Sequence, residues 1–249
     1  MQASNQIRES IARVVALRQR VADQPDLALA LHTVKHLQAQ RFAGTYPDLL
    51  HSASYAGCAN FFLEELYGAK NFAERDAQFA RIAGALQRTF PAQVVATATA
   101  LAELHQLTEE LDLAMAMHWQ PQPGAPAAQT YVLAWRHVGR RDDRLWQLNT
   151  VLRIGEDLGQ LTRKPGLHLM LKMMRKPAQL AGLGSLQSFL ESGFNHFAGL
   201  ARKQGTVSSF LDKVKAREST WIACLFDASA PACVTELSQT LALAQADST

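Results

Sequence analysis

Phe61-Phe62-Leu63-Glu64-Glu65-Leu66-Tyr67-Gly68 decides the fold class, because it is the most apolar helical stretch in the chain and has acids set inside it. At about 100° per residue, Tyr55, Cys58, Ala59, Phe62 and Leu66 share one face, with Phe61 and Leu63 widening the arc on either side. A helix this apolar belongs at the centre of a molecule. Glu64 points roughly opposite Phe62, toward solvent or a second layer. Glu65 falls at the edge of the apolar arc and needs a partner. Gly68 supplies the left-handed residue that commonly ends a helix, and Asn71 with Glu74 three residues on fits a variant capping box for the next.

Working outward, the same helical period continues almost everywhere. The chain has 249 residues, 48% hydrophobic and 19% charged, enough to bury a large core. Alternating strand patterns are nearly absent, so the expected class is all-α: a multi-helix orthogonal or bundle-like globular fold of about eight to ten helices. Periodicity and breakers place helices at about 6–22, 26–42, from 52, 72–90, 92–118, through Tyr131 to Val138, 142–162, between Pro165 and Pro177, 185–203, 208–226 and after Pro231. Residues 44–51 read as a loop. Gly155 and Gly159, four apart, would let a neighbouring backbone approach closely. The one linker-like segment is 120–129, with Pro121, Pro123, Gly124 and Pro126, so residues 1–249 form either a single helical domain or two packed halves joined there.

The Phe61–Gly68 stretch continues with Phe72-x-x-Arg75-Asp76, and with Leu101–His105, Ala134–Arg140 and the Phe210 to Phe226 region it resembles an uncharacterised bacterial family known by this motif, the FFLEELYG-motif proteins. The resemblance covers most of the chain, and the motif is long enough to be specific. It implies no activity, cofactor or catalytic residue.

Two charged dipeptides sit inside apolar stripes. On the helix from Phe72, Arg75 and Asp76 fall within ~60° of the stripe centre at Phe79. On the helix from Ser208, Arg217 and Glu218 fall within ~60° of the centre at Val214. Unpaired buried charges are too costly to keep, so the expected network joins Arg75 with Glu218 and Arg217 with Asp76, with Glu65 nearby. The alternative is that each charge lies at a stripe edge and reaches out to solvent. If buried, the network either fixes helix register or lines an interhelical pocket.

Other candidates are weaker. His32 and His36 have a metal-compatible spacing but lie opposite Leu27, Leu31 and Val34, with no carboxylate at ligand spacing, so no metal site is expected. His105, His118 and His196 read as core or interfacial histidines. No phosphate loop, nucleophile elbow or His-Glu-x-x-His pattern appears, so no catalytic residue is assigned and the reading leans away from an enzyme. Cys58, Cys224 and Cys233 show no metal or redox spacing and fit a reducing cytoplasm.

The net charge of +3 is too small to imply nucleic acid, and no run is long enough to span a bilayer. Between Arg136 and Lys176, ten Lys or Arg face four acids, a local charge of +6. Within it the helix 166–176 sets Leu167, Met170, Met173 and Met174 against His168, Lys172, Arg175 and Lys176.

Three functions follow as expectations. The first is a non-catalytic interaction or scaffolding module with a protein partner or a homo-oligomeric state. The second is a small-molecule or cofactor-binding helical protein, an enzyme included, with a pocket near Arg75, Asp76, Arg217 and Glu218. The third is a peripheral binder of anionic surfaces through Lys172, Arg175 and Lys176.

Overall fold

The computed structural model describes residues 2–65, 72–164 and 166–246, and within them the chain forms twelve helices and no strand. They are α1 (Gln2–Ala22), α2 (Pro25–Thr45), α3 (Pro47–Leu50), α4 (Ala56–Glu65), α5 (Ala73–Thr89), α6 (Ala92–Met117), α7 (Ala127–Val138), α8 (Arg141–Leu161), α9 (Leu167–Leu180), α10 (Gly184–Ala201), α11 (Thr206–Asp227) and α12 (Ala230–Ala246). The all-α expectation holds, but its count of eight to ten is low. One added helix is α3, inside the stretch 44–51 that reads as a loop. Its single turn starts on Pro47, whose fixed φ and missing N–H suit a first helical position. Pro177 also misleads: it lies inside α9, which runs three residues past it.

Proline does end α5 as expected. Phe90 is extended (φ −103°, ψ 154°), as a residue before proline prefers, and Pro91 caps α6. The turn assigned to Gly68 and the cap assigned to Asn71 lie outside the described residues.

The 26-residue α6 is the axis, with α1, α2, α7 and α8 packed along it. Around this centre α11 packs on α8, α12 on α2, and α10 on α4 and α9. The apolar face read from Phe61 and its neighbours is buried: Cys58, Ala59, Phe61 and Phe62 join Phe42, Tyr46, Phe197 and Phe210 in an aromatic core. Phe62 meets Phe210 edge-on with ring centroids 5.5 Å apart, the arrangement ring quadrupoles favour. Glu64 is exposed and Glu65 half-buried. Separate clusters form around Val34, Trp135, Trp221 and Leu237, and around Ile7, Phe79 and Leu86.

Gly155 and Gly159 do mark a close helix contact, but with side chains rather than backbone: a Cβ on Gly155 would lie 2.6 Å from Leu211 Cδ2, and one on Gly159 3.0 Å from Val207 Cγ1. The backbone contact is at Gly44, where an added Cβ would run into the Thr240 carbonyl oxygen of α12.

All three cysteines are free and buried. Cys224 and Cys233 lie nine residues apart around the α11–α12 corner with their sulfurs 3.0 Å apart, a proximity that linear spacing hides. Burial pushes the Cys58 thiol up to about 12, and burial together with Cys233 pushes Cys224 up. Neither is a thiolate nucleophile at neutral pH. No described helix is long and apolar enough to cross a membrane.

Gly44→Ala forces α2 away from α12 and should lower stability by about 1–3 kcal/mol, read from denaturant unfolding. An unchanged midpoint would mean that the two backbones do not touch.

Candidate functional site

Six charged residues are buried among the described residues: Arg41, Asp76, Glu109, Asp112, Arg144 and Glu218. All six line one cavity of about 130 Å³, with Lys35, Glu65, Arg75 and His105 in the same wall. Two helices deliver half of these groups by their period. On α6, His105, Thr108, Glu109 and Asp112 recur at three- to four-residue steps on one face. On α2, Lys35, Gln38 and Arg41 are three apart, and Gln38 and Arg41 share the stripe of Val34 and Leu37.

Asp76 is the tightest node. Its Oδ2 accepts from Arg18 Nη2 at 2.7 Å and lies 2.9 Å from His105 Nε2, while Arg75 Nε stands 3.7 Å from Oδ1. Burial pushes the Asp76 carboxyl up, but His105 and Arg18 outweigh it and hold it below the ordinary carboxylate range. Arg75 Nη1 donates to Glu65 Oε2 at 3.0 Å, and its guanidinium lies over the Phe72 and Phe189 rings at 3.9 and 4.5 Å. Burial lowers its pKa against the pull of Asp76 and Glu65.

Three further pairs complete the wall. Arg41 forks onto Glu218 at 2.8 and 3.1 Å, and Tyr46 donates its hydroxyl to Glu218 Oε1 at 2.9 Å. Lys35 Nζ donates to Glu109 Oε1 at 2.7 Å. Arg144 stacks over Trp135 at 4.0 Å and donates to Gln147, which donates on to Thr108.

Asp112 differs from the other acids. It accepts a hydrogen bond from a neutral amide, Gln38 Nε2 at 3.0 Å, and burial, only partly offset by Lys35, pushes its carboxyl up. Buried Tyr131 beside it is also pushed up by burial. The wall thus holds acids shifted in opposite directions, an arrangement typical of binding and catalytic sites. Among the described residues no group of three or more His, Cys, Asp or Glu is placed to hold a metal ion.

A family model described as "Domain of unknown function (DUF8198)" matches residues 17–232. The chain belongs to this family. The match spans every residue of the cavity wall named above, and it includes the Phe61–Gly68 stretch. No curated protein and no solved structure matches the DUF8198 chain.

In the DUF8198 chain the expected dipeptide pairing is replaced by another. Arg75 holds Glu65 rather than Glu218, and Glu218 takes Arg41, because α2 supplies the cation that faces α11. Arg217 leaves the network: it forks onto Asp48 at 2.6 and 2.9 Å and donates to the Thr45 carbonyl, on the exposed corner between α2 and α3. One helical step, about 100°, separates it from inward-facing Glu218.

Sequence reasoning missed Arg18, Lys35, Arg41, Glu109, Asp112 and Arg144. The available signal was a charge at i+4 or i+7 from a core residue, as Arg41 is from Leu37 and Val34. His105, read as a core or interfacial histidine, lies between α6 and α5 in the cavity wall. His32 and His36 are exposed and stacked with centroids 6.4 Å apart.

On α9, Arg175 forks onto Glu191 at 2.9 and 3.1 Å, while Lys172 and Lys176 are exposed. Met173, expected on the apolar face, is 68% exposed.

Asp76 and Asp112 should respond oppositely to pH. Asp76, depressed in the fold, adds stability above its unfolded value near ~4 that is lost as pH falls through its folded value. Asp76→Asn should therefore cost about 2–3 kcal/mol at neutral pH. Asp112, raised in the fold, favours the folded state below ~4, and that advantage is lost as pH rises toward its folded value. Asp112→Asn should melt higher than the parent at neutral pH and match it below about pH 4. Equal melting of parent and Asp112→Asn at neutral pH would show that Asp112 has a partner strong enough to stabilise its charge.

Proposed function

We propose that the DUF8198 chain is a binding protein for a small polar molecule held in the cavity between α2, α4, α5, α6, α7, α8 and α11. The observation that carries this reading is the convergence of all six buried charges on one void. Burying an ion pair gains a fold little, since apolar residues of similar size are often as good or better. A fold with no use for these groups has no reason to gather them from five helices around one cavity. A pocket with convergent polar groups and shifted acids is what small-molecule sites look like.

The size suits a ligand of modest dimensions, since 130 Å³ holds on the order of ten water-sized groups. Asp112 asks for a donor, so the ligand carries an amino or hydroxyl group. The aromatic faces of Tyr131 and Trp135 offer it an apolar side.

A second reading adds chemistry. Asp76 orients the His105 ring, which is how a carboxylate prepares a histidine for proton transfer. It requires a reaction within reach of His105 and separates from simple binding by whether the ligand is recovered unchanged.

Native mass spectrometry of the protein purified from its own cells tests the proposal. A reproducible excess mass that leaves on denaturation is expected, and Asp112→Asn should reduce its occupancy at least about tenfold while remaining folded. Bare chain mass, together with no melting shift on adding the small-molecule fraction of a cell extract, would rule the reading out.

A further inference from the structure

A second cavity of about 410 Å³ backs onto the first. Phe62, Phe79, Leu101, Leu104, Leu186 and Phe189 line both and form the wall between them. The two spaces differ in chemistry. Among the described residues the polar side chains of the larger lining are Thr89, Thr97 and Gln187. Each is turned to a helix carbonyl: Thr89 Oγ1 donates to Ala85 O at 2.9 Å, Thr97 Oγ1 to Gln93 O at 2.9 Å, and Gln187 Nε2 to Leu171 O at 2.7 Å. Such a space does not hold water, and left empty its walls lack contact partners. Its natural occupant is hydrocarbon.

The element that closes it is α9. Leu167, Leu171, Met174 and Ala178, at steps of four, three and four, present one stripe to the cavity. Ala178 is nevertheless the one buried residue of that helix. Its packing is chiefly on α10, where Arg175 meets Glu191 and the His168 ring stacks on Phe194 at 5.2 Å. Its opposite face sets Lys172 and Lys176 among Leu169, Met173 and Leu180, which are 63%, 68% and 91% exposed. Ordinary surface helices put polar residues there. A face that mixes lysine with bare aliphatics suits an anionic headgroup with hydrocarbon beside it.

We propose that the larger cavity takes an alkyl chain, that of a fatty acid or of a membrane lipid, which enters beneath α9 and leaves its anionic head near Lys172 and Lys176. Length of chain is accommodated by a space about three times that of the polar cavity. The site does not depend on the polar ligand, since its lining shares only the dividing wall.

The test uses the full chain and palmitate. Isothermal titration below the critical micelle concentration should show one palmitate per chain, with a raised melting temperature. Ala98→Phe, which adds a ring inside the lining, and Met174→Lys, which places charge at the partly exposed mouth, should each weaken binding at least about tenfold. Because Met174 is 41% exposed, the second variant keeps the question open to refutation even if the first does not fold. Asp112→Asn, altered only in the polar cavity, should bind palmitate as the parent does. It thereby separates failure of this site from failure of the polar one.

Flotation with vesicles of phosphatidylglycerol and phosphatidylcholine identifies the source. Association lost on Lys172→Glu with Lys176→Glu assigns a bilayer lipid, and palmitate binding without association assigns a free fatty acid. Absence of both, or palmitate binding unchanged in both Ala98→Phe and Met174→Lys, overturns the proposal.

Discussion

One buried carboxylate ties the first half of the chain together. Asp76 on α5 takes Arg18 from α1 and His105 from α6 at hydrogen-bond distance, with Arg75 of its own helix close by. Elsewhere these three helices meet largely through apolar faces, which hold helices together without dictating register. A desolvated charge with directional partners is intolerant of a one-residue slip, because the slip leaves an ion unpaired in a medium of low polarity. The placement of α6 along its axis is therefore coupled to Asp76, and with it the face that carries Glu109 and Asp112 into the cavity.

The same logic repeats at Glu218, where Arg41 and Tyr46 join α2 to α11. Between the two nodes Glu109 takes a full cation in Lys35, whereas Asp112 is held by an amide and pushed toward its neutral form. A carboxyl in that state is a hydrogen-bond donor and acceptor at once, and an amino group brought to it would restore its charge. The chemistry of the cavity is thus concentrated where the fold leaves a group least completed. Behind the aromatic and aliphatic wall the second cavity has the opposite character. The two spaces differ for a simple reason: α2 and α6 place charges on the faces that line the first cavity, while the α6 turns nearer Ala92 and the faces of α9 and α10 that line the second carry none.

Much of the architecture was legible in the residues. Phe61, Phe62, Cys58 and Ala59 follow the 3.6-residue period into the core, Pro91 separates α5 from α6, and Glu65 at the edge of the apolar arc finds a partner in Arg75. What escaped was pairing. The direction of a side chain on its own helix follows from sequence, but the helix that faces it does not, so Arg75 and Glu218 were assigned to each other when α2 stands ready with Arg41. Arg217 shows the limit of a 60° arc: it is within reach of the stripe by angle, yet a nearby Asp48 on an exposed corner gives it a partner at less desolvation than the cavity would impose. The site was half visible, through Asp76, Arg75, Glu65 and Glu218, because those charges interrupt strong stripes. Glu109, Asp112 and Arg144 were hidden, since on α6 and α8 charged and apolar residues alternate around the helix with no stripe to interrupt.

Buried charges kept for what they hold, rather than for the stability they lend, can be removed together without weakening the fold. The most direct test is the unfolding free energy of a triple variant, Arg18→Met with Asp76→Leu and His105→Leu, which removes the carboxylate with both of its hydrogen-bond partners and leaves Arg75 on Glu65. The variant should fold, with a stability unchanged or raised by up to about 4 kcal/mol. A loss of several kcal/mol would contradict it, showing the network to be a structural element that the helical assembly cannot do without.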